Sequence, residues 1–305
     1  MKFEVTILGS SSATPIFNRN PSAQALNINE HLYLIDCGEG TQQQMLRFDV
    51  KASRIDHIFI SHLHGDHYLG LVGLLSSMHL NGRHKPLKLF GPPELMEIIN
   101  LQLKYSETTL QYPIDFTATH TDNAEVILEN QDITVESIPL DHRISCTGFL
   151  FREKKRLRKI IKEKIAELDI PVEYYSAIKK GADYVSPAGK LHKNLDITIS
   201  SEEPKTYSYC SDTLYNEKYF NQIRNSDLLY HESTFLNNML ERAQSTNHTT
   251  ALQAGQVALI TGAKKLVIGH FSARYKTLNE LLDEARSVFP DTELAIEGRT
   301  FVIGK

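Results

Sequence analysis

The sequence predicts an α/β fold in which two packed sheets are flanked by helices. Short segments typical of strands come in consecutive groups early in the chain and mix with helical segments later. A doubly wound sheet would alternate strand and helix throughout, so the grouped order favours two packed sheets. The length of 305 residues, with 41% hydrophobic and 23% charged residues, is sufficient for a sizeable core.

The strand candidates are short and rich in apolar side chains. In chain order they are FEVTILG, ALNI, HLYLID, HIFIS, LKLFG, ITVESIPL, TGFLF, KTYSYCS, LLYHES, KLVIGH, TELAIEG and TFVIG. Apolar residues at helical spacing predict helices at residues 41–48, 70–79, 93–103, 157–168, 250–261 and 277–288. The N-terminal MKFEVTILG is typical of a first strand, and we expect neither a signal peptide nor a membrane span.

Residues 152–193 carry a local excess of positive charge. They contain twelve Lys or Arg against six Asp or Glu, a net of +6 that leaves −10 for the rest of a chain of net charge −4. Two interpretations are open for FREKKRLRKIIKEKIAEL, residues 151–168, which overlaps this segment. It is either a surface helix with a solvated charged face or an arm that contacts the phosphates of a polyanion.

The three cysteines, Cys37, Cys146 and Cys210, are far apart in the sequence. An odd, unclustered set argues against a disulfide scaffold and favours a reducing, cytoplasmic location. Cys37 and Cys210 adjoin predicted strands, so we predict small buried hydrophobic side chains and not redox groups.

Three histidines and an aspartate fall within six positions of SHLHGDHYLGL, which follows the apolar run IDHIFI. His62 and His64 alternate, so an extended backbone projects both imidazoles to one side. Gly65 permits a tight turn, after which Asp66 and His67 add a carboxylate and a third imidazole. Polar groups crowded beside apolar segments would cost stability without a ligand to coordinate. Because imidazole and carboxylate groups bind zinc, the stretch predicts a metal site that can hold two ions.

This H-x-H-x-D-H motif after a strand resembles the signature of the metallo-β-lactamase superfamily. Further stretches resemble its ribonuclease Z branch, the tRNA 3′-processing endonucleases. In order they are GSSSATPIFNRNPSA, LIDCGEGTQQQML, LDHRISCTGF, YCSDT, LLYHESTF and GHFSARY. The resemblance runs from residue 3 to about residue 300 and implies the metallo-β-lactamase fold, an αββα sandwich. It also implies one domain over residues 1–305, with a basic flexible arm, the exosite, inserted at about residues 151–198.

The resemblance implies two zinc ions per subunit. The implied ligands are His62, His64 and His142 for the first ion, Asp66, His67 and His270 for the second, and Asp212 as the bridge between them. His142, Asp212 and His270 each follow a predicted strand. Strand ends of packed sheets can converge on one edge, where loops carry function.

The implied reaction removes the 3′ trailer from precursor tRNA, leaving a 3′-hydroxyl on the tRNA and a 5′-phosphate on the trailer. Metal ions make water a nucleophile near neutral pH, and Asp66 is expected to orient that water and accept its proton. His248, His231 and Glu232 match positions that the family uses to stabilise the transition state and protonate the departing oxygen. For these three residues the alternative is a structural hydrogen-bond network.

Arg19, Ser272 and Arg274 are the candidates for binding substrate phosphates, since guanidinium groups suit bidentate phosphate contacts. A structural ion pair is the alternative for the two arginines. The family's arm favours the polyanion interpretation of the basic segment, because an arm can grip tRNA by shape. The family also implies a homodimer in which one subunit's arm serves the other's site.

Two other functions are open. One is a metal-dependent phosphodiesterase acting on small molecules or other RNAs, and the other is a non-catalytic RNA-binding relative with a vestigial site. The basic segment argues against the first. The presence of all seven ligand positions argues against the second.

Overall fold

Two seven-stranded mixed sheets form the centre of the computed structural model, which describes residues 2–16 and 19–304. Strands and helices are numbered along the chain. The first sheet has the order β18-β1-β2-β3-β4-β5-β6. Its strands are β1 Phe3–Gly9, β2 Ala23–Ile28, β3 His31–Ile35, β4 Ile55–Phe59, β5 Leu87–Gly91, β6 Ile114–Ala118 and β18 Thr300–Val302.

The second sheet has the order β17-β16-β15-β14-β9-β8-β7. Its strands are β7 Val126–Glu129, β8 Ile133–Leu140, β9 Cys146–Glu153, β14 Thr206–Cys210, β15 Leu228–Glu232, β16 Leu266–Gly269 and β17 Thr292–Leu294. Strands β14, β15, β16 and β17 run parallel, so their carboxyl ends share one edge.

The described helices are α1 Thr41–Arg47, α2 Gly65–Tyr68, α3 Leu71–Leu80, α4 Leu95–Tyr105, α5 Lys162–Glu167, α6 Tyr175–Lys179, α7 Asn194–Ile197, α8 Leu240–Ser245, α9 Ala251–Thr261 and α10 Asn279–Arg286. Helix α9 shows how local sequence sets these bounds. Thr250 and Gln253 form a capping box at its start, and Gly262 ends it in the left-handed conformation at φ +67°.

The central core lies between the two sheets. It includes Phe59 of the first sheet, whose ring centroid lies 5.3 Å from the centroids of both Phe149 and Phe151 of the second. A second cluster packs α9 and α10 against the outer face of the second sheet, and a third packs α1, α3 and α4 against the first. The layers are therefore helix, sheet, sheet and helix, which confirms the predicted αββα fold.

The chain divides into two compact units, Met1–Arg152 with Lys205–Lys305, and Glu153–Pro204. The smaller unit, here called the arm, overlaps the insertion expected at residues 151–198. It adds β10 Lys159–Ile160, β11 Tyr184–Val185, β12 Leu191–His192 and β13 Thr198–Ile199. Its own small core consists of Ile165, Ile170, Ile178, Tyr184 and Ile197.

The helix predicted at residues 157–168 is wrong in its first half. Lys159 and Ile160 pair with Ile199 and Thr198 as a short antiparallel ladder, and the helix begins only at Lys162. Ile165, which lies in the helical second half, is a core residue of the arm. Helical spacing of apolar residues could not reveal that a distant strand pairs with the segment before the helix.

The three cysteines are buried and free, which for Cys37 and Cys210 confirms the prediction of small buried side chains. Over residues 2–16 and 19–304, no helix combines the length and the apolar character needed to cross a membrane.

Candidate metal centre

Eight side chains that could hold metal ions meet where strands of both sheets end: the seven predicted ligands, and His248, which lies near Asp212 and His270. His62 and His64 follow β4, and α2 carries the next two ligand candidates in its first turn. His142, Asp212 and His270 follow β8, β14 and β16. The structure thus brings together all seven of the predicted ligands: His62, His64, Asp66, His67, His142, Asp212 and His270.

The first cluster consists of His62, His64, His142 and Asp212, whose donor atoms all lie within 4.8 Å of one another. His64 Nδ1 is 3.1 Å from both His62 Nε2 and His142 Nε2. Asp212 Oδ2 is 3.6 Å from His62 Nε2 and 3.8 Å from His142 Nε2.

The second cluster consists of Asp66, His67 and His270. His270 Nε2 is 3.3 Å from both His67 Nε2 and Asp66 Oδ2. Asp212 Oδ1 lies 3.4 Å from His67 Nε2 and 3.2 Å from His270 Nε2. One carboxylate therefore presents one oxygen to each cluster.

These spacings fit divalent metal binding. Ligand atoms about 2.0–2.1 Å from a tetrahedral zinc ion lie roughly 3.3 Å apart. The distances quoted for the first cluster are 3.1–3.8 Å, and those from Asp212 Oδ1 to the second cluster are 3.2–3.4 Å. Both ranges lie close to that value. The nitrogen and carboxylate donor set is also the one expected for a divalent transition metal.

Hydrogen bonds outside the clusters orient four of the five imidazoles. Their Nδ1 atoms lie within hydrogen-bond distance of protein oxygens, so that each Nε2 is free to face its cluster. The pairs are His62 with Ser61 Oγ (3.0 Å), His67 with Asp36 Oδ2 (2.8 Å), His142 with the Asn247 carbonyl (3.0 Å) and His270 with Thr234 Oγ1 (3.0 Å). His64 is the exception, because its Nδ1 faces the cluster.

Asp36 is a functional residue that sequence reasoning left without a role. Its buried carboxylate accepts hydrogen bonds from His67 Nδ1, from the Tyr209 hydroxyl at 2.6 Å, and from the Ser61 amide and hydroxyl at 2.7 and 2.9 Å. Asp36 lies in LIDCGEGT, a motif that carried the family resemblance. Its position at the end of the predicted strand HLYLID was the available signal for an orienting role.

Four residues around the clusters have left-handed backbone conformations without being glycine. They are Ala13 at φ +63°, Asp36 at φ +55°, Asn247 at φ +55° and His270 at φ +57°. The amide of Ala13 donates a hydrogen bond of 2.7 Å to Asp66 Oδ2. At these four positions the unusual backbone angle accompanies a side chain or a main-chain group that faces the site.

His248 and Glu232 form a buried pair beside the clusters. His248 Nδ1 donates to Glu232 Oε1 at 2.9 Å, and the same carboxylate accepts from the Thr213 amide at 2.9 Å and the Thr234 hydroxyl at 2.5 Å. Burial alone would lower the pKa of His248, but the Glu232 carboxylate outweighs burial and raises that pKa to about 9.

His231 lies outside this group. It is fully buried, with Nε2 2.8 Å from the Tyr219 hydroxyl and Nδ1 2.7 Å from the Glu232 carbonyl. Of the two interpretations for His231, these contacts support the structural hydrogen-bond network. Successive strand residues face opposite sides of a sheet, so the position of His231 away from the site was predictable once Glu232 was assigned to the site.

The candidate phosphate-binding residues have different environments. Arg19 is buried, and its Nη2 donates to the carbonyl of Tyr275 at 2.9 Å, so it bonds to backbone and not to the carboxylate of an ion pair. Arg274 is exposed, donates to Ser272 Oγ at 3.1 Å and lies over the Phe235 ring. Arg274 and Ser272 therefore remain accessible to an anion, whereas Arg19 holds the loop that carries them.

A cleft of about 310 Å³ opens beside the clusters. Its lining residues are Ser12, Ala13, Pro15, Pro21, Glu39, His64, Gly65, Asp66, Leu69, Arg143, Asp212 and His248. A larger groove of about 720 Å³, lined largely by residues of α1 and α3 and by residues 49–53 and 81–85, includes none of the clustered side chains. Donor chemistry, and not volume, therefore identifies the site.

Residues 3–159 match the family model described as Anti-Pycsar protein Apyc1. This stretch contains His142 and the ligand candidates of residues 62–67, but it ends before Asp212 and His270. The match therefore covers about half of the chain and only part of the site.

Curated proteins called ribonuclease Z are similar over nearly the whole chain. The relative from Cytophaga hutchinsonii is 49% identical over 304 residues, which cover 99% of this chain and 97% of the relative. A relative from Bacteroides fragilis is 45% identical over 296 residues, covering 97% of each.

Two solved structures share the fold. Human tRNase Z, short form, has a TM-score of 0.72 and 26% identity, with 98% of this chain and 99% of the human chain covered. The metallo-β-lactamase fold protein YhfI from Bacillus subtilis has a TM-score of 0.69 and 19% identity, with 99% and 100% covered. The second likeness bears on the fold alone.

Replacing Asp36 with Asn tests the orienting role of its carboxylate. We expect metal affinity to fall by about 10- to 100-fold, because His67 loses the acceptor that fixes its ring. Competition with a chelating dye measures this. Asp56→Asn is the matched control, since Asp56 pairs with Arg83 and Lys85 near the other end of β4. Equal affinities for the two variants would contradict the assigned role.

Proposed function

The chain belongs to the ribonuclease Z family, and from this premise we propose that it is a metal-dependent endoribonuclease that removes the 3′ trailer from precursor tRNA. The products are a tRNA with a 3′-hydroxyl and a trailer with a 5′-phosphate. The observation that carries the proposal is the Asp212 carboxylate, which presents one oxygen to each of two donor clusters. Such a pair of adjoining sites suits the displacement of an oxygen from phosphorus.

We propose two zinc ions per subunit. His62, His64 and His142 would hold one ion, Asp66, His67 and His270 the other, and Asp212 both. The ligand spacings and donor set support this assignment. When bound, the two ions supply an activated water and neutralise charge on the scissile phosphate.

Asp66 is proposed to orient the attacking water and to accept its proton. Its carboxylate lines the cleft, and the Ala13 amide fixes Oδ2. Burial would raise the pKa of Asp66, but neighbouring imidazoles, His67 first among them, outweigh burial and hold it well below its ordinary value. The carboxylate is therefore ionised near neutral pH, which is the state that a proton acceptor requires.

His248 is proposed to protonate the departing 3′ oxygen. Its Nδ1 is bonded to Glu232, which leaves Nε2 for the substrate side of the ring. The hydrogen-bonded Glu232 carboxylate raises the pKa of the imidazole, which favours the protonated ring that a general acid requires. Glu232 acts through His248 as a positioning residue, and His231 stabilises the strand that carries Glu232.

Substrate phosphates would be bound by the exposed Arg274 and by Ser272, with Arg19 shaping their loop. We propose that the arm is a tRNA-binding exosite. Residues 152–193 contain twelve basic and six acidic residues, and this net positive charge supports the proposal. Family membership further supports a homodimer, and the three free, buried cysteines support a cytoplasmic enzyme.

Purified protein with zinc should cut a 3′-extended precursor tRNA just after the discriminator base. Mapping both products to the nucleotide, with their end groups, tests the function directly. Loss of cleavage with chelator and recovery with zinc serves as the control. Hydrolysis of small phosphodiesters without precursor cleavage would favour the phosphodiesterase alternative, and no hydrolysis of either would favour the non-catalytic one.

His248→Ala should lower the cleavage rate by about 10²- to 10⁴-fold, because the 3′ oxygen then leaves without a proton donor. A precursor with sulfur at the 3′-bridging position should largely restore the rate, since a thiolate leaves unprotonated. Rates are measured under single-turnover conditions with wild type on both substrates as reference. Equal losses on oxygen and sulfur substrates would rule out the acid role.

Removal of the arm should separate tRNA binding from phosphodiester chemistry. Arg152 and Thr206 are register partners in the antiparallel pair β9 and β14, so a short hairpin turn can replace residues 154–204. We expect precursor tRNA affinity to fall at least about 10-fold, since several phosphate contacts are lost.

Hydrolysis of bis(p-nitrophenyl) phosphate is the matched measurement, and it should be retained because this substrate is too small to need an exosite. A parallel loss of both activities would argue against a dedicated tRNA-binding arm.

A further inference from the structure

Arg143 follows the predicted ligand His142 and lines the cleft beside the clusters. Among the described residues that line this cleft it is the one Lys or Arg, whereas Glu39, Asp66 and Asp212 contribute carboxylates. A permanently charged guanidinium at this position is a binding site for an anion that enters the cleft.

The Arg143 side chain is exposed and makes no internal contact that would explain it. Within residues 2–16 and 19–304, its guanidinium has neither a hydrogen-bond acceptor nor a carboxylate partner. Arg19 and Arg274, by contrast, both donate to groups of the protein. A structural role for the Arg143 charge is therefore not supported by its surroundings.

The backbone that carries Arg143 is nevertheless fixed. The Asp141 amide donates to Thr213 Oγ1 at 3.1 Å, and the Leu214 amide donates to the Asp141 carbonyl at 2.7 Å. His142 Nδ1 lies 3.0 Å from the Asn247 carbonyl. An anchored main chain with an unpaired charged side chain is suited to capture a ligand with little loss of backbone entropy.

We propose that Arg143 binds a phosphate adjacent to the scissile linkage of the precursor RNA and so positions the strand in the cleft. The proposal rests on the proposed function. The two donor clusters account for the scissile phosphate itself, and each neighbouring nucleotide brings one more anionic phosphate. The planar guanidinium can bond both non-bridging oxygens of such a group at once. Since it stays protonated, its role is positioning and not proton transfer.

The test combines Arg143→Met with precursors in which one phosphate beside the scissile linkage, on the 5′ or the 3′ side, is a neutral methylphosphonate. In single-turnover cleavage by zinc-loaded enzyme, we expect Arg143→Met to lower kcat/KM on the unmodified precursor by about 10- to 100-fold. A methylphosphonate at the contacted position should cost wild type a similar factor and cost Arg143→Met little more. Arg143→Lys should retain part of the affinity, because it keeps the charge but loses the planar fork.

Arg224→Gln is the matched control, because Arg224 precedes β15 at the end of the strand away from the site. This variant should cleave the precursor as fast as wild type does. Thermal unfolding of Arg143→Met should match wild type, because the side chain is exposed. If the fold-losses in kcat/KM caused by Arg143→Met and by each methylphosphonate multiply when combined, the two changes act independently and the proposal is overturned. Full activity of Arg143→Met would also overturn it. Cleavage of the unmodified precursor by wild type tests the proposed function separately.

Discussion

The spacing between the two oxygens of the Asp212 carboxylate sets the geometry of the whole site. Oδ2 faces the first cluster at 3.6–3.8 Å and Oδ1 faces the second at 3.2–3.4 Å, so one side chain joins the two groups of imidazoles. Asp212 follows β14 in the second sheet, whereas residues 62–67 follow β4 in the first. The aromatic core between the sheets therefore fixes the separation of the donor groups.

Hydrogen bonds to protein oxygens orient the imidazoles that the fold brings together. Each oriented imidazole bonds to a protein oxygen through one nitrogen and offers the other to its cluster. The Glu232–His248 pair has the same arrangement, and its carboxylate raises the pKa of the ring. Similar histidine–acceptor pairs thus occur both in the donor clusters and in the proposed proton donor beside them.

The sequence was sufficient to predict the layered fold, and its family resemblance selected seven ligand positions that the structure brings together. The residues alone identified the H-x-H-x-D-H stretch, because that motif is local, whereas His142, Asp212 and His270 were assigned through the resemblance. The edge strands β6 and β7 were not predicted. In β6, the residues alternate only between partly buried and exposed, so the strand has no fully buried face. Asp36 and Asn247 were missed as orienting groups because their partners are distant in sequence. The first half of the predicted arm helix was wrong for the same reason, as β13 pairs with it.

The left-handed backbone conformations of Ala13, Asp36 and His270 have an energetic consequence for metal binding. Each such conformation costs an L-residue about 1–2 kcal/mol, and all three lie in loops that aim groups at the clusters. Binding of metal ions by the proposed ligands would offset part of this strain, because His270 is one of those ligands, and Ala13 and Asp36 hydrogen-bond to two others. Metal binding and the local folding of these loops would then be linked equilibria.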